Sequence, residues 1–339
     1  MKAIILNKPS QFLQTKKTDI PNKIRVNEAI VRVHRVGICG TDLHAFQGVQ
    51  PFFSYPRILG HELGVEILQI GENLKGLKAG DFCAVEPYLH CRNCVACRRG
   101  KTNCCVNLKV LGVHVDGGLR ESLIIPTNKL HKSNKLTLDQ LALVEPLSIG
   151  FHAVQRANIE KGEFVLVVGA GPIGLSVIQF IQFLGVKIIV MDINEERLKF
   201  AEKHFNIEAI IKVSENSLNE LEELTNGELP IIVFDATGNQ PSMNNTFNLV
   251  AAGGQIVFVG LFQGEVTFND PNAHKREITL HRSRNATGDD FRQVIGLLES
   301  GEVNINPWIT HRVLFDEVTN QFESWLDLNS NFIKAVIEV

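Results

Sequence analysis

The sequence predicts an α/β protein in two parts: an irregular, mostly-β domain, and a doubly wound domain built on a parallel sheet. Three observations carry this. The chain has 339 residues, more than the roughly 250–300 at which a single core stops growing. Its patterning changes character near residue 146. A glycine-rich turn then stands between an apolar run and a helical one.

Before the change, short strand-like runs lie at 3–6, 29–36, 63–70, 82–85 and 121–125. Turns such as Gly71-Glu72-Asn73 and Asp116-Gly117-Gly118 separate them, a pattern of short strands with turn residues between. After it, strands are expected at 164–168, 187–191, 209–212, 231–234, 255–259 and 278–281. Helices are expected between them at 173–184, 195–204, 217–224 and 241–250. Strict alternation of this kind calls for right-handed crossovers and a parallel sheet. The helix at 173–184 is apolar on most sides and is expected to be buried. Helices at 289–299 and 317–326 and a strand at 333–339 complete the chain.

Composition excludes several function classes. At 44% hydrophobic and 21% charged the chain is an ordinary globular protein. A net charge of −3 points to neither a nucleic-acid nor a membrane partner. The four consecutive apolar residues at 3–6 are too few for a signal-peptide core, so a cytoplasmic protein is expected. Residues 164–186 carry no charge, yet Gly169, Gly171, Pro172 and Gly174 interrupt them, and they read as strand, turn and helix.

Val165-Leu166-Val167-Val168 runs into Gly169-Ala170-Gly171-Pro172-Ile173-Gly174, a G-x-G-x-x-G placed after a strand and opening a helix. The first glycine makes the turn, the second admits a pyrophosphate, and the third lets the helix approach the strand, as in a Rossmann domain. Asp192 ends the next strand, where a carboxylate accepts from ribose hydroxyls and repels a 2′-phosphate. That pairing favours NAD over NADP. Thr237, Val259 and Leu261 fall at carboxyl ends of strands, the side on which such sheets bind ligands, and are assigned to the nicotinamide half. Arg197 is assigned to the adenine.

Of seven cysteines, five lie between Cys91 and Cys105. Clustered cysteines in a long chain outside an oxidising compartment point to metal rather than disulfides. Cys91, Cys94 and Cys97 are spaced to wrap one tetrahedral ion, with Cys104 or Cys105 as the fourth thiolate. Four sulfurs close the shell, so this zinc would hold a loop and do no chemistry. Cys83 reads as core. A second constellation comprises Cys39-Gly40-Thr41-Asp42-Leu43-His44, Gly60-His61-Glu62 and Val144-Glu145-Pro146. It offers a thiolate, an imidazole and a carboxylate with a position left open, the requirement of a catalytic zinc.

These motifs together resemble the zinc-containing medium-chain alcohol dehydrogenases, in their polyol and threonine dehydrogenase branch, over essentially the whole chain. The resemblance implies a GroES-like catalytic domain at 1–146 and 282–339 and a Rossmann NAD-binding domain at 147–281. It implies Cys39, His61 and Glu62 at the catalytic zinc, with Glu145 there directly or through water, and selects Cys105 for the structural zinc. It implies hydride transfer from a carbinol to C4 of the nicotinamide. The proton would leave through Thr41, the nicotinamide ribose and His44. It also implies a homotetramer.

Gln50-Pro51-Phe52-Phe53-Ser54-Tyr55-Pro56, Asp235-Ala236-Thr237-Gly238-Asn239-Gln240 and Met243-Asn244-Asn245-Thr246 resemble bacterial dehydrogenases that oxidise the C5 hydroxyl of a sugar acid. So do Val259-Gly260-Leu261-Phe262 and Ser283-Arg284-Asn285-Ala286-Thr287. Phe52, Phe53 and Tyr55 are then candidates for the substrate cleft, and Arg284 for the substrate carboxylate. Arg282 departs from the pattern, where glycine is expected. His34, His114 and His152 receive no role. Sorbitol, xylitol and threonine dehydrogenases are the alternatives within the branch. A non-catalytic NAD-binding protein would lack the first-zinc residues.

Overall fold

The computed structural model describes residues 1–15, 24–327 and 332–339, in two compact units: Met1–Pro146 with Ala286–Val339, and Leu147–Asn285. In the first unit the strand Glu28–Gly37 is central. It pairs antiparallel with Glu62–Ile70, with Ser122–Pro126 and with the C-terminal strand Lys334–Glu338. The register sets Gly37 opposite both Glu62 and Val336. That pairing brings Cys39, His61 and Lys334, at the start of the C-terminal strand, to one end of the sheet. A three-stranded sheet of Ala3–Lys8, Gln11–Thr15 and Arg57–Ile58 lies in the same unit. Alternating apolar side chains such as Val31, Val33, Val65 and Ile67 are buried to 1% exposure or less, and their burial drives this unit's folding.

The second unit is a six-stranded sheet, parallel throughout. The order is Ala209–Lys212, Lys187–Asp192, Phe164–Val168, Ile232–Asp235, Gln255–Phe258, Thr279–Arg282. Chain order reverses direction between Phe164–Val168 and Ile232–Asp235, and ligands bind doubly wound sheets outside the carboxyl ends at such a switch. The helix Pro172–Ile181 buries every residue from Gly174 onward, which explains its lack of a polar face. Among the described residues no helix is long and apolar enough to cross a membrane. The uncharged stretch at 164–186 resolves into strand, turn and helix.

Two sequence expectations are corrected. The helix expected at 317–326 is broken into short pieces, Phe315–Glu317, Val318–Gln321 and Phe322–Leu326, two of them 3₁₀. Phe322 and Trp325 pack with ring centroids 5.3 Å apart, and a three-residue spacing superposes side chains in a 3₁₀ turn. The helix expected at 241–250 ends at Gln240–Asn245, after which Thr246 Oγ1 donates to Ser242 O at 2.9 Å and the chain tightens to 3₁₀. The change of character near 146 falls where the two units divide. Leu138–Val154 is one helix with Pro146 inside it.

A buried ionic group ties the first unit together. Lys129 Nζ donates to Glu86 and lies 2.9 Å from His90 Nδ1, while His131 Nε2 stands 3.2 Å from the same carboxylate. Glu86, Lys129 and His131 are all 5% exposed or less. Burial alone would raise Glu86, but its bonds from His131 and Lys129 outweigh that and hold it below the usual carboxylate range. Burial lowers His131 below the usual imidazole range.

Both shifts have the same sign of consequence. The unfolded chain protonates histidine from about pH 6.5 downward, a proton the folded His131 refuses, so stability falls from there. Glu86 adds a further loss as pH drops below the ordinary carboxylate range toward its depressed value. Glu86→Ala should cost about 3–5 kcal/mol in denaturant titrations at pH 7, since it strands Lys129 without a counter-charge, and Glu86→Gln should show a shallower acid limb. A loss under about 1 kcal/mol would remove this group as a structural tie.

Candidate active site

Cys39 caps the helix Gly40–Gln47 and lies two residues beyond the end of the central strand. Glu62 begins the neighbouring strand, and His61 immediately precedes it. The side-chain ligand atoms of Cys39, His61 and Glu62 lie within 4.8 Å of one another. Three features shape this cluster. Gly37 has no side chain, and a β-carbon there would overlap the Glu62 carboxylate lying across it. Lys334, 1% exposed, donates to both Glu62 oxygens at 2.7 and 2.9 Å and to Ile38 O at 2.9 Å. Asp42, wholly buried, accepts from Cys39 N at 3.0 Å and lies 3.7 Å from His61 Nδ1.

These residues fit a metal. His61 is 4% exposed, and its Nδ1 has no hydrogen bond. Burial would lower its pKa, yet Asp42, then Cys39 and Glu145, raise it well above the usual imidazole value. A field that draws a proton to a buried imidazole is one that a divalent cation beside it would satisfy. Glu145 sits on the helix Leu138–Val154 and is 5% exposed. Burial pushes its carboxyl up to about 7. It lies outside the group whose ligand atoms converge, and it accepts from the Tyr88 hydroxyl.

Thr41 and His44 lie three residues apart on Gly40–Gln47, a spacing that puts side chains on one helix face. His44 is exposed, while partial packing lowers its pKa below the ordinary imidazole value, so it is neutral at pH 7. The aromatic run divides. Tyr55 donates its hydroxyl to Ala45 O and pairs edge-on with Phe53, and both rings pack on the core. Phe52 alone is exposed, at 55%, and stacks on His114 at 6.5 Å.

The four-cysteine group also closes. Sγ atoms of Cys91, Cys94, Cys97 and Cys105 lie within 4.8 Å of each other, with Cys91 and Cys97 at 4.0 Å. A tetrahedron of thiolates around zinc has sulfurs about 3.8 Å apart, whereas a disulfide needs about 2.05 Å. Cys104 is exposed and outside the group, so Cys105 is the fourth member. Backbone N–H groups of Cys97 and Val106 lower Cys94 to about 6, while burial pushes Cys97 up to about 12. Cys83 is buried in its strand and has its thiol raised to about 12 by burial.

In the second unit, Gly169 has φ +96°, and a β-carbon on Gly174 would overlap the Gly169 carbonyl. The loop is thus a cradle that side chains would fill, opening on the N-terminus of Pro172–Ile181, where free N–H groups suit phosphate. Ile173 occupies the first turn of that helix. Asp192 is already bonded, accepting from Ala170 N at 2.6 Å and Asn194 N at 2.7 Å. It therefore ties the glycine loop to the neighbouring strand, and a carboxylate has lone pairs beyond these two. The Arg197 guanidinium stands 3.6 Å from a β-carbon position on Gly171, against the glycine loop. Thr237 faces Gly169 across the switch point and donates to Asp235 Oδ1 at 2.6 Å. Val259 follows the next strand, and Leu261 is 58% exposed at the same edge. Arg282 lies 5.0 Å over the Phe258 ring, a cation–π contact that accounts for its side chain. Arg284 follows two residues beyond the edge strand Thr279–Arg282.

Residues 25–135 match the alcohol dehydrogenase GroES-like domain and residues 172–300 the zinc-binding dehydrogenase domain. The chain is 42% identical to L-galactonate-5-dehydrogenase of Escherichia coli K12 over 99% of its length and 98% of that protein's. It is 34% identical to L-idonate 5-dehydrogenase of Vitis vinifera, over 87% of this chain and 83% of that one. A crystal structure of the alcohol dehydrogenase rspB from E. coli CFT073 with NADH superposes with a TM-score of 0.92 at 30% identity, covering 100% of this chain and 99% of that one. This chain belongs to the zinc-type medium-chain alcohol dehydrogenases.

Asp42, Tyr88 and Lys334 are absent from the sequence-based site. Lys334 had a signal, a lone cation in an apolar C-terminal strand. Asp42 had another, a carboxylate one helical turn beyond Cys39. Tyr88 had none. Asp42→Asn should weaken zinc affinity at the Cys39 cluster about 10- to 100-fold, the usual cost of losing a carboxylate behind a metal-binding histidine. Chelator competition measures this, and an unchanged affinity would make Asp42 a helix cap only.

Proposed function

We propose that the chain oxidises the C5 hydroxyl of L-galactonate to the ketone of D-tagaturonate, with NAD as acceptor and two zinc ions per chain. The observation that carries the reading is the converging cluster of Cys39, buried His61 and Glu62. Similarity to an L-galactonate-5-dehydrogenase over nearly the full length supports the substrate.

In this reading Cys39, His61 and Glu62 hold the catalytic zinc, and Cys91, Cys94, Cys97 and Cys105 hold the structural one. Gly169, Gly171, Pro172, Ile173, Gly174, Asp192, Arg197, Thr237, Val259 and Leu261 hold the dinucleotide. Bound zinc supplies Lewis acidity to an alcohol oxygen, and bound NAD accepts the hydride. Thr41 takes the hydroxyl proton into a hydrogen-bonded path, and neutral His44, exposed on the same helix face, passes it to solvent. Lys334 holds Glu62 in place and offsets one of the negative charges around the metal. Phe52 presents an apolar face to the substrate, and Arg284 pairs with its carboxylate. A cytoplasmic homotetramer is part of the same reading.

The test is an NADH-production screen over L-galactonate, other aldonates, sorbitol, xylitol and L-threonine, with metal analysis alongside. L-Galactonate should give the highest kcat/KM, with two zinc ions per chain. Faster turnover of L-threonine or a polyol would replace the substrate while leaving the chemistry. A single zinc, removable without loss of rate, would end the mechanism. Asp192→Ala should lower the NAD/NADP ratio of kcat/KM at least about tenfold, or about 1.4 kcal/mol, and an unchanged ratio would remove Asp192 from cofactor selection.

A further inference from the structure

The geometry points to Tyr88 as a positioning residue that holds Glu145 beside the catalytic metal cluster and keeps it from becoming a ligand. This rests on the reading of Cys39, His61 and Glu62 as the ligands. Tyr88 is 2% exposed, and its hydroxyl donates to Glu145 Oε1 in a short buried bond. Its ring is held edge-on by Phe291, at 6.2 Å and 82°. Its backbone is held too. The two-residue strand Tyr88–Leu89 pairs with Lys109–Val110, and the four cysteines lie in the segment between those strands.

Glu145 is a charge neighbour of both His61 and Glu62. A carboxylate so placed, with a free oxygen, would compete for the open coordination position that a substrate oxygen needs. Glu62 is restrained by Lys334 through both oxygens. Glu145 is tethered by the Tyr88 hydroxyl. A phenol suits the task, because it donates one directional bond without adding charge to a buried site.

Tyr88→Phe removes the hydroxyl and keeps the ring. The experiment uses full-length protein with cobalt(II) at the Cys39 site and zinc at the four-cysteine site, and compares four chains: wild type, Tyr88→Phe, Glu145→Gln and the double variant. Tyr88→Phe should retain both metals, shift the cobalt d–d bands, and lower kcat about 10- to 100-fold, with KM changing much less. In the Glu145→Gln background, Tyr88→Phe should add no band shift and no further loss of kcat, because residues acting through one another are not additive. Unshifted bands in Tyr88→Phe, or the same loss of kcat with and without Glu145, would overturn the assignment. The bands decide it whichever alcohol is turned over. If L-galactonate proves a poor substrate while the bands shift, only the substrate reading fails.

Discussion

The ion pair between Lys334 and Glu62 is the constraint around which the first unit is organised. Both side chains are buried, at 1% and 0% exposure. Breaking such a pair from one side leaves an uncompensated charge in the interior, a cost of about 3–5 kcal/mol. The pair therefore fixes where the C-terminal strand lies against the strand Glu28–Gly37. By also donating to Ile38 O, Lys334 holds the backbone one residue before Cys39. Gly37 leaves the room in which the Glu62 carboxylate lies. Residues at 37, 62 and 334 thus settle, through one contact, the position of the cysteine and histidine between them.

Around that contact the charges are arranged for a cation. Asp42, Glu62, Glu145 and the Cys39 thiol surround His61, and Lys334 offsets only part of their charge. The anionic groups are individually restrained: Asp42 by Cys39 N, Glu62 by Lys334, and Glu145 by Tyr88. Each restraint comes from a different element, so the cluster is as rigid as the sheet and helices that carry it. Rigidity of that kind is what lets a metal site keep an open position and not fill it with a nearby carboxylate.

The second unit solves a different problem with backbone alone. Its parallel strands present peptide N–H groups and small residues at their carboxyl ends, and the loop at Gly169 bends where a side chain would collide. Asp192 adds a cross-strand tie to Ala170 that explains why this loop keeps its shape. The same two bonds show that its carboxylate serves the fold as well as any ligand.

Much of this was legible in the sequence because it is local. Strand and helix alternation, the G-x-G-x-x-G turn and the spacing of Cys91, Cys94 and Cys97 are properties of a few neighbouring residues. Their physics acts over one turn or one strand. The strands Phe164–Val168 and Phe82–Val85 and the helix Glu195–His204 accordingly fall where patterning places them. The helix Leu138–Val154 escaped that reading. It is apolar around much of its circumference and contains Pro146, so neither periodicity nor propensity announces it. Lys334, Tyr88 and Asp42 escaped because their roles depend on what lies opposite. Lysine 334 meets Glu62 across 272 positions of chain, and Tyr88 meets Glu145 across 57. The sequence by itself determined which ligand types are present and in what short-range order. The tertiary structure alone decided which of them converge and which are held apart, because strand register and burial bring together groups that no local pattern connects.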